Sequence, residues 1–180
     1  RDLRFLKTGQ RPDFLRRITW LYPDDGCYAR AAVANHQLVS LGYPSPMRLF
    51  AFGALVATTA NHPEGQVGWW FHVAPVVLLE GVPHVVDPSL EPSGPIPAAD
   101  WIGRMGRKVE EVQVSLCAPG AYGPEWSCMN SSLDWEQRNA PGDILKYLYW
   151  EWDRVRSLGR DPEKELGEEP PWRAPAPRQP

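Results

Sequence analysis

Apolar positions recur at helical spacing from Gly26 to Leu41, where Cys27, Ala31, Ala34, Leu38 and Leu41 fall on one stripe. Asp24 and Asp25 precede this run as capping candidates, and Gly42 follows as a stop. Three β-rich runs come next, Met47–Thr58, Val67–Glu80 and Val82–Asp87, the last two joined at Glu80-Gly81 in the manner of a hairpin. The segment "DPSLEPSGPIP" carries turn and loop chemistry, a short helix is predicted over Ala98–Arg107, and the alternation of Glu111–Leu116 predicts a further strand. A second long helix is predicted over Pro141–Leu158, with Ile144, Leu145, Leu148, Trp152 and Val155 as its apolar stripe and Gly159 as its end. Helix, adjacent strands, then helix is the order of an α+β fold, a mostly antiparallel sheet packed against helices.

Beyond residue 160 the pattern changes. Prolines at 170, 171, 175, 177 and 180 suit an extended tail. The expected organisation is therefore one globular unit over 1–160 and a Pro-rich tail over 161–180, with no internal repeat. With 180 residues, 43% of them hydrophobic, the chain can bury one substantial core. Nine tryptophans are many for this length, and most are expected in the core or in the wall of a cleft. The chain begins at Arg1 and not at Met, which reads as an excised domain, a trimmed chain or a processed mature form.

Charge narrows the function. A net charge of −3 and a pI near 5.8 leave no basic stripe to neutralise phosphates, so a nucleic-acid partner is not expected. Residues 1–17 hold six Lys/Arg against two Asp, which reads as a solvated face and not a binding arm. Apolar runs such as "VAPVVLLE" are too short to span a bilayer, and no signal peptide is visible. A membrane partner is not expected either.

The stretch "YPDDGCYARA" sets Cys27 directly after an Asp-Asp-Gly turn, in the first turn of the predicted helix. Four roles are open to it: a small buried hydrophobe, half of a disulfide, a metal ligand or a nucleophile. Three cysteines, Cys27, Cys117 and Cys128, are too few and too irregularly spaced for a zinc ribbon, and at least one is unpaired within the chain. Cys117 and Cys128 bracket a Gly- and Pro-rich loop, where a disulfide and two free thiols are both open. A thiol at a helix N-terminus is favoured as thiolate by the unpaired amides and the helix dipole. A thiolate nucleophile needs an imidazole to move protons and a third group to orient that imidazole.

Of four histidines, His36 lies too far along the Cys27 helix to reach its start, and His62 sits in the polar loop "TTANHPEG". His72, inside "WWFHVAPVV", and His84, beside Pro83, both lie in strands. A histidine among Trp, Phe and Val is either a hydrogen-bonded core residue or a catalytic one. Folding the hairpin about Gly81 brings Asp87, in "VVDPSL", towards the level of His72, and leaves His84 nearer the turn.

Taken in order and spacing, "YPDDGCYARA", "WWFHVA" and "VVDPSLEPSGPI" resemble the motifs of bacterial protein glutaminases, which deamidate glutamine side chains in intact proteins. The resemblance covers roughly residues 20–105 and weakens after Arg107. It implies a papain- and transglutaminase-like fold with a Cys-His-Asp triad at Cys27, His72 and Asp87. Trp69 matches a family tryptophan that would wall the acyl site, and Trp70 beside it is grouped with it in substrate binding. No metal or organic cofactor is implied. The implied partner is a protein presenting an exposed glutamine, met by a monomeric enzyme that is secreted or delivered as an effector domain. The rival readings are transglutaminase-like amide formation with an amine acceptor, proteolysis, and a non-catalytic binding or toxin-accessory domain.

Overall fold

A computed structural model describes residues 18–124, Cys128 and residues 133–167, with the backbone alone for 133–138 and 141. The basic segment 1–17 and the Pro-rich residues 168–180 lie outside the described residues. The described elements are α1 (Cys27–Ser40), β1 (Met47–Thr58), β2 (Gln66–Leu79), β3 (Val82–Val85), β4 (Ile96–Pro97), α2 (Ala98–Arg104), a 3-10 turn (Val109–Glu111), β5 (Gln113–Cys117), α3 (Leu133–Ser157) and α4 (Pro162–Leu166). The strands form one sheet in the order β4-β3-β2-β1-β5, antiparallel at every pairing. The α+β architecture expected from the chain is the one present.

Alternation along the strands gives the sheet two covered faces. On one, Leu49, Ala51, Ala74, Val76 and Val85 pack against Trp101, Ile102 and Met105, at and just after α2. On the other, Phe50 and Val73 meet Cys27 and Ala31 of α1. Alanines keep α1 slim: Ala29, Ala32 and Ala34 are fully buried against Ala140, Ile144, Tyr147 and Leu148 of α3. A helix studded with alanine can approach both a sheet and a second helix, and that sandwiching holds its N-terminus in place.

The β2–β3 hairpin closes in two residues, with Leu79 paired to Val82 and positive φ at both Glu80 (52°) and Gly81 (80°). Left-handed conformation at both central positions matches the right-handed twist of the strands, as in a type I′ turn. Register then follows from the turn, with Val76 opposite Val85.

Four expectations are revised. Asp24 and Asp25 do not cap α1: its N-cap is Gly26, no side chain caps the helix, and Asp24 instead pairs with Arg154. α3 begins at Leu133 and not at Pro141. A proline within a helix forfeits one amide hydrogen bond and crowds the carbonyl four residues back, a local cost that the preceding "LDWEQRNA", made mostly of good helix formers, offsets. The 87–97 stretch, expected as loop throughout, ends in the short strand β4, where Ile96 pairs with Val85. Residues 161–167, expected as the start of the tail, form α4: Asp161 accepts the amides of Glu163 and Lys164, and Leu166 is buried against Trp152 and Val155.

Candidate active site

Gly26 makes the turn that delivers Cys27. Its φ of +79° is left-handed, and a Cβ there would lie 2.7 Å from the Tyr147 ring, so both backbone and packing demand glycine. The loop before it is tied down from three sides. Buried Arg30 donates to the carbonyls of Tyr22 and Asp25 at 2.8 and 2.7 Å, Asp25 Oδ1 accepts the Gly26 amide, and Trp69 Nε1 donates to the Pro23 carbonyl at 2.9 Å. The hydroxyls of Tyr28 and Tyr147 share a 2.8 Å hydrogen bond, which fixes the first turn of α1 to α3. Cys27 is thus the first residue of a braced helix, 5% exposed and unpaired.

His72 and Asp87 come together in the core, 1% and 3% exposed. His72 Nε2 donates to Asp87 Oδ2 at 2.7 Å. Asp87 is itself held by three further donors: Trp101 Nε1 to Oδ2 at 2.9 Å, and the Ser89 amide and hydroxyl to Oδ1. Two indoles stack on the imidazole, Trp69 at 4.6 Å between centroids and Trp101 at 5.6 Å. A buried carboxylate with four donors is an anchored acceptor, and an imidazole packed against two indoles cannot turn.

The charges follow from this arrangement. Burial lowers the His72 pKa, but the charge and hydrogen bond of Asp87, with smaller contributions from Cys27, overcome it and hold it up at about 9. Burial raises that of Asp87, yet His72, Ser89 and Trp101 bring it well below the usual carboxylate range. At neutral pH the pair is imidazolium and carboxylate. Nε2 is committed to Asp87, and Nδ1 is buried without a conventional hydrogen-bond partner. The reactive neighbour that interacts with this ring besides Asp87 is the Cys27 thiol.

The remaining histidines lie elsewhere. His84 sits opposite Val77, nearer the hairpin turn, with Nδ1 against the Val82 carbonyl. His62 accepts the Glu64 amide in its loop, and His36 lies on α1 well past its start. Cys117 and Cys128 are joined in a disulfide. Trp69 stacks on His72, whereas Trp70 points away, 65% exposed. No group of three or more candidate metal ligands occurs among the described residues. Sequence reading overlooked Trp101 and Ser89. Ser89 was signalled by "DPS", an aspartate whose side chain can turn back onto the residue two positions on. Trp101 carried no such signal, since only the packing of α2 shows its nitrogen aimed at Asp87.

A glutaminase family model matches residues 4–105, more than half of the chain and all three of Cys27, His72 and Asp87. The chain belongs to the glutaminase family. Among solved structures it is similar to a crystal structure of protein-glutaminase, at 29% identity over 73% of each chain with a TM-score of 0.59. It is also similar to the NMR structure of protein-glutaminase from Chryseobacterium proteolyticum, at 32% identity over 65% of this chain and 68% of that one, with a TM-score of 0.53. A mutant of pro- protein-glutaminase matches at 30% identity over 73% of this chain and 48% of its own, with a TM-score of 0.59. No curated protein sequence matches the chain. The family match ends after α2, so β5, the disulfide and Tyr147 of this glutaminase lie beyond it.

Proposed function

We propose that this glutaminase hydrolyses the side-chain amide of glutamine residues in proteins, through a thioester on Cys27. The observation that carries the reading is the buried His72–Asp87 pair, set beside an unpaired cysteine at a helix start in a chain of the glutaminase family. Cys27 attacks the amide carbon as thiolate, the thiol proton being the one His72 carries, and the carbonyl π electrons move onto oxygen. The oxyanion is met by the backbone N–H of Cys27, which as a first-turn amide has no intrahelical acceptor. Collapse of the adduct expels ammonia, which takes its proton from His72. Neutral His72 then removes a proton from water, hydroxide adds to the thioester, and loss of the Cys27 thiolate leaves glutamate.

Asp87 keeps the His72 cation in place through both steps, and Trp69 forms the wall over the ring. The site draws its three residues from α1, β2 and the segment after β3 of one chain and needs none from a second copy, so we read the enzyme as a monomer acting on a protein substrate. The Cys117–Cys128 disulfide supports an oxidising setting, that of a secreted enzyme or a delivered effector domain.

The test is incubation with a flexible, Gln-containing protein. Ammonia release together with a gain of about one dalton per converted glutamine is expected. Cleavage of the chain, or no change beyond that seen with Cys27→Ala, would overturn the reading.

A further inference from the structure

Two adjacent tryptophans in β2 part company at an irregularity in β1. Phe52 pairs with Phe71 and Leu55 with Trp69, so Gly53 and Ala54 together oppose the single residue Trp70. A bulge of this kind re-aims side chains beside a site. Trp69 turns in onto His72, while Trp70 turns out onto Phe52, 6.3 Å between centroids, and onto Phe71 at 4.6 Å. The stack continues inward: Phe52 and Phe71 lie 6.0 and 6.4 Å from Phe50, which is buried in the same cluster as Cys27. An aromatic surface thus runs from beside the nucleophile to solvent.

A shallow recess of about 50 Å³ opens along it, lined by Phe50, Phe52, Ala121, Pro124 and both half-cystines. Its volume suits the edge of a ring or the tip of an aliphatic chain, and among the described residues that line it none is charged. An exposed indole leaning on two phenylalanines has no role in the thioester chemistry. Exposed apolar surface continuous with a reactive centre marks a binding surface.

We infer that this surface is the subsite for an apolar side chain, aromatic or branched aliphatic, lying next to the target glutamine in the substrate polypeptide, with Trp70 and Phe52 setting the preference. The inference rests on the deamidase reading and deepens it. A polypeptide that places its glutamine at Cys27 must run over neighbouring surface, and the aromatic surface packed with Cys27 is the apolar part of it. Acidic neighbours to the glutamine gain nothing there and lose hydration.

The experiment compares kcat/KM for blocked peptides of the form Gly-Gln-Gly, Phe-Gln-Gly, Gly-Gln-Phe, Leu-Gln-Gly, Gly-Gln-Leu and their Asp counterparts, read by ammonia release. A preference of roughly tenfold or more is expected for the apolar residue on one side of the glutamine, with Asp at that position no better than Gly. Trp70→Ala and Phe52→Leu should each shrink that ratio towards one, with near-ultraviolet circular dichroism confirming the fold. Wild-type enzyme that turns over Gly-Gln-Gly but treats all flanks alike overturns the subsite and leaves deamidation standing. A preference that survives both substitutions likewise overturns it. If no peptide and no protein glutamine is converted, the deamidase reading is what has failed.

Discussion

His72 carries its proton at neutral pH because Asp87 reverses what burial alone would do. In the proposed mechanism that proton is the one ammonia needs on leaving, so kcat/KM should hold through neutrality and fall as pH rises through about 9, not through the ordinary 6.5. A basic limb near 6.5 in the pH profile would contradict the pairing. Stability has the same sign: a raised histidine pKa contributes fully below 6.5, and that contribution is lost as pH rises towards 9. Asp87, held low, contributes above 3.8 and loses its contribution in acid. Trp101→Phe keeps the stacking but removes one donor to Asp87 and should move the basic limb, whereas a purely structural tryptophan would leave the profile unshifted. The place of Cys27 at a helix start and the approach of Asp87 to His72 were legible in the chain because each rests on motifs with local meaning: an Asp-Asp-Gly turn, an apolar strand and a hairpin partner. Trp101 was not, because its role exists only once α2 lies across the sheet.

Within single elements, the turn into α1 makes the sharpest demand. Gly26→Ala adds a left-handed alanine and a Cβ at 2.7 Å from the Tyr147 ring. It should cost about 1–3 kcal/mol of stability by thermal or urea unfolding, with a larger proportional loss of activity as the Cys27 turn shifts. The Cys117–Cys128 bridge closes a short loop, with a sequence separation of 11. Replacing both cysteines by serine should lower unfolding stability by about 2–3 kcal/mol. The ends of β1, β2 and the hairpin were readable because alternation and the Glu80-Gly81 pair are local signals. The start of α3 was not: a proline suggested a first turn, and the helix-forming residues before it carried the helix further.

At the scale of the molecule, the sheet order was beyond sequence reading, since β5 returns to pair with β1 across most of the domain. Likewise the sequence of α4 reads as the start of a tail, and only the burial of Leu166 against Trp152 ties it to the domain. Leu166→Ala should cost about 2–4 kcal/mol by unfolding, far more than a tail residue would. The site's surroundings also bear on which nucleophile ends the reaction. The polar stretch "TTANHPEG" and the half-exposed "EPSGP" read as the rim of an open cleft, which would admit water as readily as an amine. With excess primary amine present, glutamate should still exceed the amine adduct in peptide mass analysis, and the reverse ratio would mark an amide-forming enzyme. The most direct measurement of all is the covalent intermediate itself. A Gln-containing peptide mixed with the enzyme and quenched in acid within the first turnover should leave its acyl group on Cys27 alone, by mass mapping of the enzyme, with no adduct in Cys27→Ala. Conversion of Gln to Glu with Cys27 never acylated, or undiminished in Cys27→Ala, would contradict the account.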